Sequence, residues 1–298
     1  MENTKTYKSG QKAIAGMILI IILGLFSVMD IRAASNAVVP LEAGKTYTDY
    51  DVTGDGVADK VRFVKRNRKI TKNDKTPWRY IYLDIYVNDV RVLSTATSYG
   101  DVDLCIFDKS NVYFSVYTIE GDSGPQTHKL YQYKNRKWKM VFNVNKPFSK
   151  LKGRTKDSAL AIRSRIHNIS NNKIVVEYVS QLYTTAAIRW RVTYTLKNGK
   201  FVKQSSNTYQ VVYPKDVGIK NKWTVVSRFK VYTKVGGKKV RFTTKRKEKV
   251  KINRIRIKKN TVYFEITRKN GRKGWIKNSN KAPWSGGKTF FKEARFVS

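Results

Sequence analysis

The chain has 298 residues, of which 41% are hydrophobic, enough for two packed domains and too apolar for wholesale disorder. Its charge is the outlier: 61 Lys and Arg stand against 21 Asp and Glu, a formal net charge of +40. A field of that sign draws in polyanions such as nucleic acid, anionic lipid or acidic wall polymer, without choosing among them. One cysteine, Cys105, excludes an intramolecular disulfide; in the apolar run VDLCIFD it reads as a buried small hydrophobe. With two histidines, His128 and His167, a zinc site or a Cys/His nucleophile has little material.

At the amino terminus Lys5, Lys8 and Lys12 precede an apolar run over 13–29, followed by Asp30, Ile31, Arg32 and the small residues Ala33, Ala34 and Ser35. That is the order of a secretory signal peptide, here 1–35, cleaved after Ala33 or Ser35. The alternative is an uncleaved anchor through 13–29, since 17 apolar residues are the lower edge of a membrane span. Cleavage predicts a secreted or cell-wall-associated protein; only retention of the segment makes the membrane a partner. Export argues against intracellular nucleic acid.

From residue 36 to residue 213 the pattern is short, alternating, aromatic and β-branched: YIYLDIYV at 80–87, NVYFSVYTI at 111–119, KIVVEYVSQLY at 173–183 and RWRVTYTL at 189–196. Such runs are half-buried strands, and no segment sustains a helical period. Asn88-Asp89, Asn135-Arg136 and Asn198-Gly199 each separate two runs, as Asn-led hairpin turns do. Near-copies at 130–142 and 194–203 point to a degenerate repeat of three units between about 45 and 213, each too small to bury its own face.

DVTGDGVAD at 51–59 sets oxygen ligands at alternate positions, Asp51, Thr53 and Asp55, before Gly56; the Val57 carbonyl and Asp59 complete the set. A hard cation such as calcium takes six to eight oxygens in this kind of layout. The helical version is ruled out by Arg62 at position twelve and by the strand-like KVRFV that follows. The pattern resembles the D-x-D-x-D-G-x-x-D loops of integrin-type and VCBS-like β-propeller repeats, with Thr53 replacing a charged ligand. The resemblance implies one calcium ion and a propeller-like arrangement of sheets.

YPKDVGIKNKW, with Pro214 and Gly218, reads as a linker over 214–222. From Asp216 onward the chain carries 26 Lys and Arg against four Asp and Glu. Within 228–277 stand Val231-Tyr232, KVKI at 249–252, VYFEI at 262–266 and Gly274-Trp275-Ile276. This region, 223–298, resembles the bacterial Src-homology-3-like (SH3b) domain, a small barrel that binds wall peptides or polymers. The resemblance implies wall-peptide contacts at Tyr232 and Trp275. Independently, Lys249, Lys251, Arg254, Arg256 and Lys258 interleave with apolar residues, which on a strand gives one basic face for a polyanion.

Acid/base candidates are scarce. Asp101, Asp103 and Asp108 lie close together, as do Glu120 and Asp122, which is the material for a carboxylate pair. No Ser, His and Asp arrangement stands out, however, so Asp101 and Asp103 read as a degenerate calcium loop and 120–124 as a surface turn. The sequence therefore predicts an all-β chain: a propeller-like domain of antiparallel sheets at 36–213 and an SH3-like barrel at 223–298. The expected function is non-catalytic binding of cell-wall polymer or peptidoglycan. A calcium-dependent glycan- or protein-binding adhesin and a wall glycan hydrolase are the alternatives.

Overall fold

The protein is described by a computed structural model covering residues 36–77, 79–121, 126–154, 162–213 and 220–294. The expected signal segment 1–35, with its cleavage sites and its apolar run, lies outside the described residues, as does 214–219 of the expected linker.

The local turns decide the pairing. Asn88-Asp89, Asn135-Arg136 and Asn198-Gly199 take φ of 49 and 62°, 52 and 58°, and 49 and 70°. Positive φ at both central residues is the two-residue hairpin turn whose twist matches the flanking strands. Asn171-Asn172 and Lys259-Asn260 adopt it too, at 45 and 58° and at 48 and 61°.

The described residues contain twenty β-strands and no α-helix. After β1 (Ala37–Pro40), the strands β2 (Thr46–Tyr50), β3 (Asp59–Asn67), β4 (Ile81–Val87) and β5 (Val90–Thr97) form a four-stranded antiparallel meander. A second meander follows in β6 (Tyr99–Asp108), β7 (Asn111–Ile119), β8 (Gln126–Lys134) and β9 (Lys137–Asn143), with β1 paired to β6 at its edge. A third is built from β10 (Arg163–Ser170), β11 (Lys173–Leu182), β12 (Ala186–Lys197) and β13 (Lys200–Lys203). The three repeated units are thus three consecutive meanders.

Stacking of the meanders explains the composition of the second. Its even-numbered residues Val102, Leu104 and Ile106 on β6 join Phe63 and Ile85 of the first meander in one core. Cys105, Phe107 and Tyr113 on the opposite face join the core that includes Ile174, Tyr178 and Trp190 of the third. A sheet covered on both faces loses polar alternation and becomes a near-continuous apolar run. Cys105 is free and fully buried, and burial pushes its thiol well above its ordinary value. Burial of each of these large side chains contributes about 1.5–3 kcal/mol.

The chain continues as β14 (Thr208–Val212), β15 (Trp223–Thr224), β16 (Lys230–Tyr232), β17 (Val240–Thr243), β18 (Lys249–Lys258), β19 (Thr261–Arg268) and β20 (Lys273–Lys277). The SH3-like barrel expected at 223–298 does not form: the sheet built by these strands does not close, nor does any other among the described residues. Instead β14 pairs with both β12 and β18, so one sheet runs from the third meander into the basic region. Hydrogen bonds reinforce the seam. Buried Asn278 donates from Nδ2 to the Lys152 and Gly153 carbonyls at 3.0 and 2.7 Å and accepts from the Thr184 amide at 3.1 Å. Gly153 has φ of 66°, and a Cβ there would lie 1.9 Å from the Ser279 carbonyl oxygen. Only glycine tolerates both constraints.

Candidate functional site

The 51–59 loop closes on its own amides. Asp51 accepts the Gly54 and Gly56 N–H groups at 2.5 and 2.7 Å, and Asp59 Oδ2 accepts those of Val52 and Thr53 at 2.8 and 2.9 Å. The Thr53 hydroxyl lies 3.3 Å from Asp51 Oδ1 and 3.4 Å from Asp59 Oδ1, so three of the expected ligands converge. Asp55 turns instead to the Val57 amide at 2.9 Å, and Val57 is exposed. Asp51 Oδ1 and Asp59 Oδ2 each accept two amide N–H groups and Asp59 Oδ1 accepts from Asn88 Nδ2 at 2.7 Å, so the room left for a cation is greatest at Asp51 Oδ2, which accepts one. Among the described residues no group of three or more His, Cys, Asp or Glu is arranged for a metal. The Lys134 side chain lies across Gly54.

On β18 the basic residues reach one face by a device that strict alternation lacks. Val250 and Ile252 point inward, and so does Ile255, three residues later. The register slips between Ile252 and Ile255. This irregularity re-phases the strand, placing Arg254, Arg256 and Lys258 on the side already taken by Lys249 and Lys251. The five are not equivalent. Arg254 forks onto Glu265, itself buried, and is thereby neutralised. Lys249 donates to the Thr224 hydroxyl. Lys249 and Lys251 line a depression of about 510 Å3 with Lys222 and Lys269 at one end. Arg256 and Lys258 line another of about 330 Å3 at the other end, with Lys234 and Trp275. Tyr232 pairs directly with Trp275, 43 positions away in sequence, and both are half-buried.

A third constellation has no motif in the sequence. Asp101 and Asp103, expected as a calcium-loop copy, lie within strand β6, where no loop exists to wrap an ion. They face a cleft of about 320 Å3 shared with His128, Arg163, Arg165 and Arg189. Gln126 fastens the edge strand β10 there: its side-chain amide accepts from the Ser164 N–H and donates to the Ser164 carbonyl, both at 2.9 Å. Buried His128 bridges Ser115 Oγ at 2.9 Å and Ser164 Oγ at 2.8 Å. Desolvation lowers its pKa to about 4, against hydrogen bonding with Ser164, and so keeps the ring neutral. Desolvation, helped by the charge of Asp101, raises Asp103 to about 6. The one signal in the sequence is Arg-x-Arg at 163–165 and 189–191, which places paired guanidiniums on one strand face. Glu120 accepts from Arg79 at 2.7 Å, and 122–125 lie outside the described residues.

Comparison with family models, with curated proteins and with solved structures finds no match to this chain. Among the described residues no helix is long and apolar enough to cross a membrane.

Proposed function

We propose that the chain is an exported, non-catalytic surface protein whose basic C-terminal sheet binds an anionic cell-wall polymer. The observation that carries this is the outward face of β18, where two basic depressions flank the neutralised Arg254–Glu265 pair. Ten residues of strand span about 30 Å at roughly 3.4 Å each, a length suited to a repeating polyanion rather than to a single group. Trp275 and Tyr232 supply flat apolar surface at one end, for sugar rings or peptide side chains. The loop at 51–59 is proposed to take one calcium ion, on the convergence of Asp51, Thr53 and Asp59.

Binding of the full chain to isolated cell walls tests the main proposal, because the continuous sheet makes residues 223–298 unsuitable as a separate fragment. Exposed charges are screened over roughly 8 Å at physiological ionic strength, so retention should fall steeply with salt. Arg256→Glu with Lys258→Glu should weaken it about tenfold or more, and Lys251→Glu should add to that loss. Arg254 is unsuitable for reversal, since a glutamate there would face Glu265. If retention ignores salt and survives removal of the wall's acidic polymers, the electrostatic proposal fails.

A further inference from the structure

The cleft between β6 and the outward face of β10–β12 keeps opposite charges apart. Asp101 and Asp103 lie on one side, Arg165 and Arg189 on the other, around about 320 Å3, the lower end of the sizes that hold small ligands. Asp101 is engaged: Oδ1 accepts from Lys65 Nζ at 2.8 Å and Oδ2 from the Tyr99 hydroxyl at 2.6 Å. Among the described residues Asp103 has only the Ser115 hydroxyl, at 3.5 Å, beyond good hydrogen-bond distance.

The surrounding network shows why Ser115 does not serve it. Asn145 donates from Nδ2 to the Gln126 carbonyl at 2.9 Å, which turns its Oδ1 to Ser164. The Ser164 hydroxyl donates to that oxygen at 2.5 Å, so its own oxygen accepts from His128 Nδ1. The neutral ring then has Nε2 as an acceptor, filled by the Ser115 hydroxyl at 2.9 Å. A hydroxyl has one proton. Among the described residues Asp103 is left as a partly buried carboxylate without a donor at good distance.

The opposite wall has the reverse deficit. Glu177, with its side chain 1% exposed, is shared by Arg165, Arg189 and Arg191 at 3.0, 3.4 and 3.1 Å. One carboxylate among three guanidiniums leaves two positive charges uncompensated, and two of the three arginines line the cleft. We infer that the cleft binds a small zwitterion, an amino acid or the end of a short peptide, its ammonium on Asp103 and its carboxylate on Arg165 and Arg189. A simple anion would leave Asp103 without a donor, and a simple cation would leave the guanidiniums without an acceptor. Forked guanidiniums match a carboxylate in geometry as well as in charge. This site is separate from the C-terminal face and does not rest on wall binding.

Calorimetry and ligand-observed NMR on the full chain, with alanine and dialanine as probes, test the inference. One or both zwitterions should bind. The N-acetylated and the C-amidated forms, each lacking one charge, should each lose about tenfold or more. Asp103→Asn should abolish the signal of the zwitterion, and Arg189→Gln should weaken it; Glu177 keeps two guanidiniums in the latter variant, so the fold is retained. The inference is overturned if neither zwitterion binds. It is equally overturned if a blocked form binds as well as its parent, which would reduce the cleft to a single-charge site.

Discussion

Two buried glutamates sit at the centre of outward sheet faces, and the protein neutralises them differently. Glu265 on β19 meets one guanidinium, Arg254, in a one-to-one fork. Glu177 on β11 meets three. On the C-terminal face the surplus positive charge therefore lies elsewhere, spread along exposed lysines and Arg256, where it acts at long range and is easily screened. On the third meander the surplus is gathered around one residue beside a cleft, where it acts at contact distance. The same residue types thus spread positive charge in one region and concentrate it in the other, and the ratio of carboxylate to guanidinium decides which.

The largest effect that separates the two regions is removal of the glutamates. Glu177→Ala leaves three like charges, their side chains 28–60% exposed, without the carboxylate they share, and should cost about 2–4 kcal/mol, less than breaking a fully buried ion pair. Glu265→Ala strands one guanidinium that is already 37% exposed and should cost about 1–2 kcal/mol. Urea unfolding of both variants measures this; equal losses would remove the distinction.

Asp103 and His128 sharpen the comparison through pH. Asp103 rises from 3.8 to about 6 on folding, so its ionisation opposes the native state, and stability falls as pH rises through that interval. His128 drops from 6.5 to about 4, so its contribution is present above pH 6.5 and lost as pH falls toward 4. In the parent protein the two slopes offset each other between about pH 4 and 6. Asp103→Asn should therefore stabilise the protein by about 1–3 kcal/mol at pH 7, with no gain remaining below pH 4. Taking the difference between variant and parent cancels Glu248 and Glu293, whose hydrogen-bonded carboxyls are lowered in both proteins. Parallel stability curves for the two proteins from pH 4 to 7 would contradict the assignment.

The smallest effect concerns the 51–59 loop, which lies in neither basic region. With a dissociation constant on the order of 0.1–1 mM, about 5 mM calcium should add about 1–2 kcal/mol to stability. Asp51→Asn, which removes the charge of a converging ligand, should shrink that gain. A melting temperature that does not move, with no calorimetric heat, would make the loop a turn held by its amides alone.

Features that depend on neighbours along the chain are legible in the amino-acid order. Alternating aromatic and β-branched runs mark the strands, and Asn-led pairs mark three hairpins, because period two and positive φ are local properties. The repeat of three units is visible for the same reason, as recurring strand–turn spacing. Lys259-Asn260 carries no such mark, because a lysine at positive φ has no sequence signature. The irregularity at Ile252–Ile255 leaves a trace, since Lys251 and Arg254 are three apart and would otherwise face opposite sides. Only the strand register shows that β18 re-phases there.

By itself the sequence determined the all-β class, the hairpins, the excess of positive charge and its concentration from residue 216 onward. Each is additive or local, so no fold is needed to read it. Tertiary structure alone decided that β14 ties the third meander to the basic region in one sheet. It also decided that Asn145, Ser164, His128 and Ser115 share one chain of hydrogen bonds ending beside Asp103. These residues come from different strands and loops, up to 61 positions apart in sequence. A proton donor's direction, and a carboxylate's share of the guanidiniums around it, are set by distances of a few ångströms, which arise only when separate strands have packed.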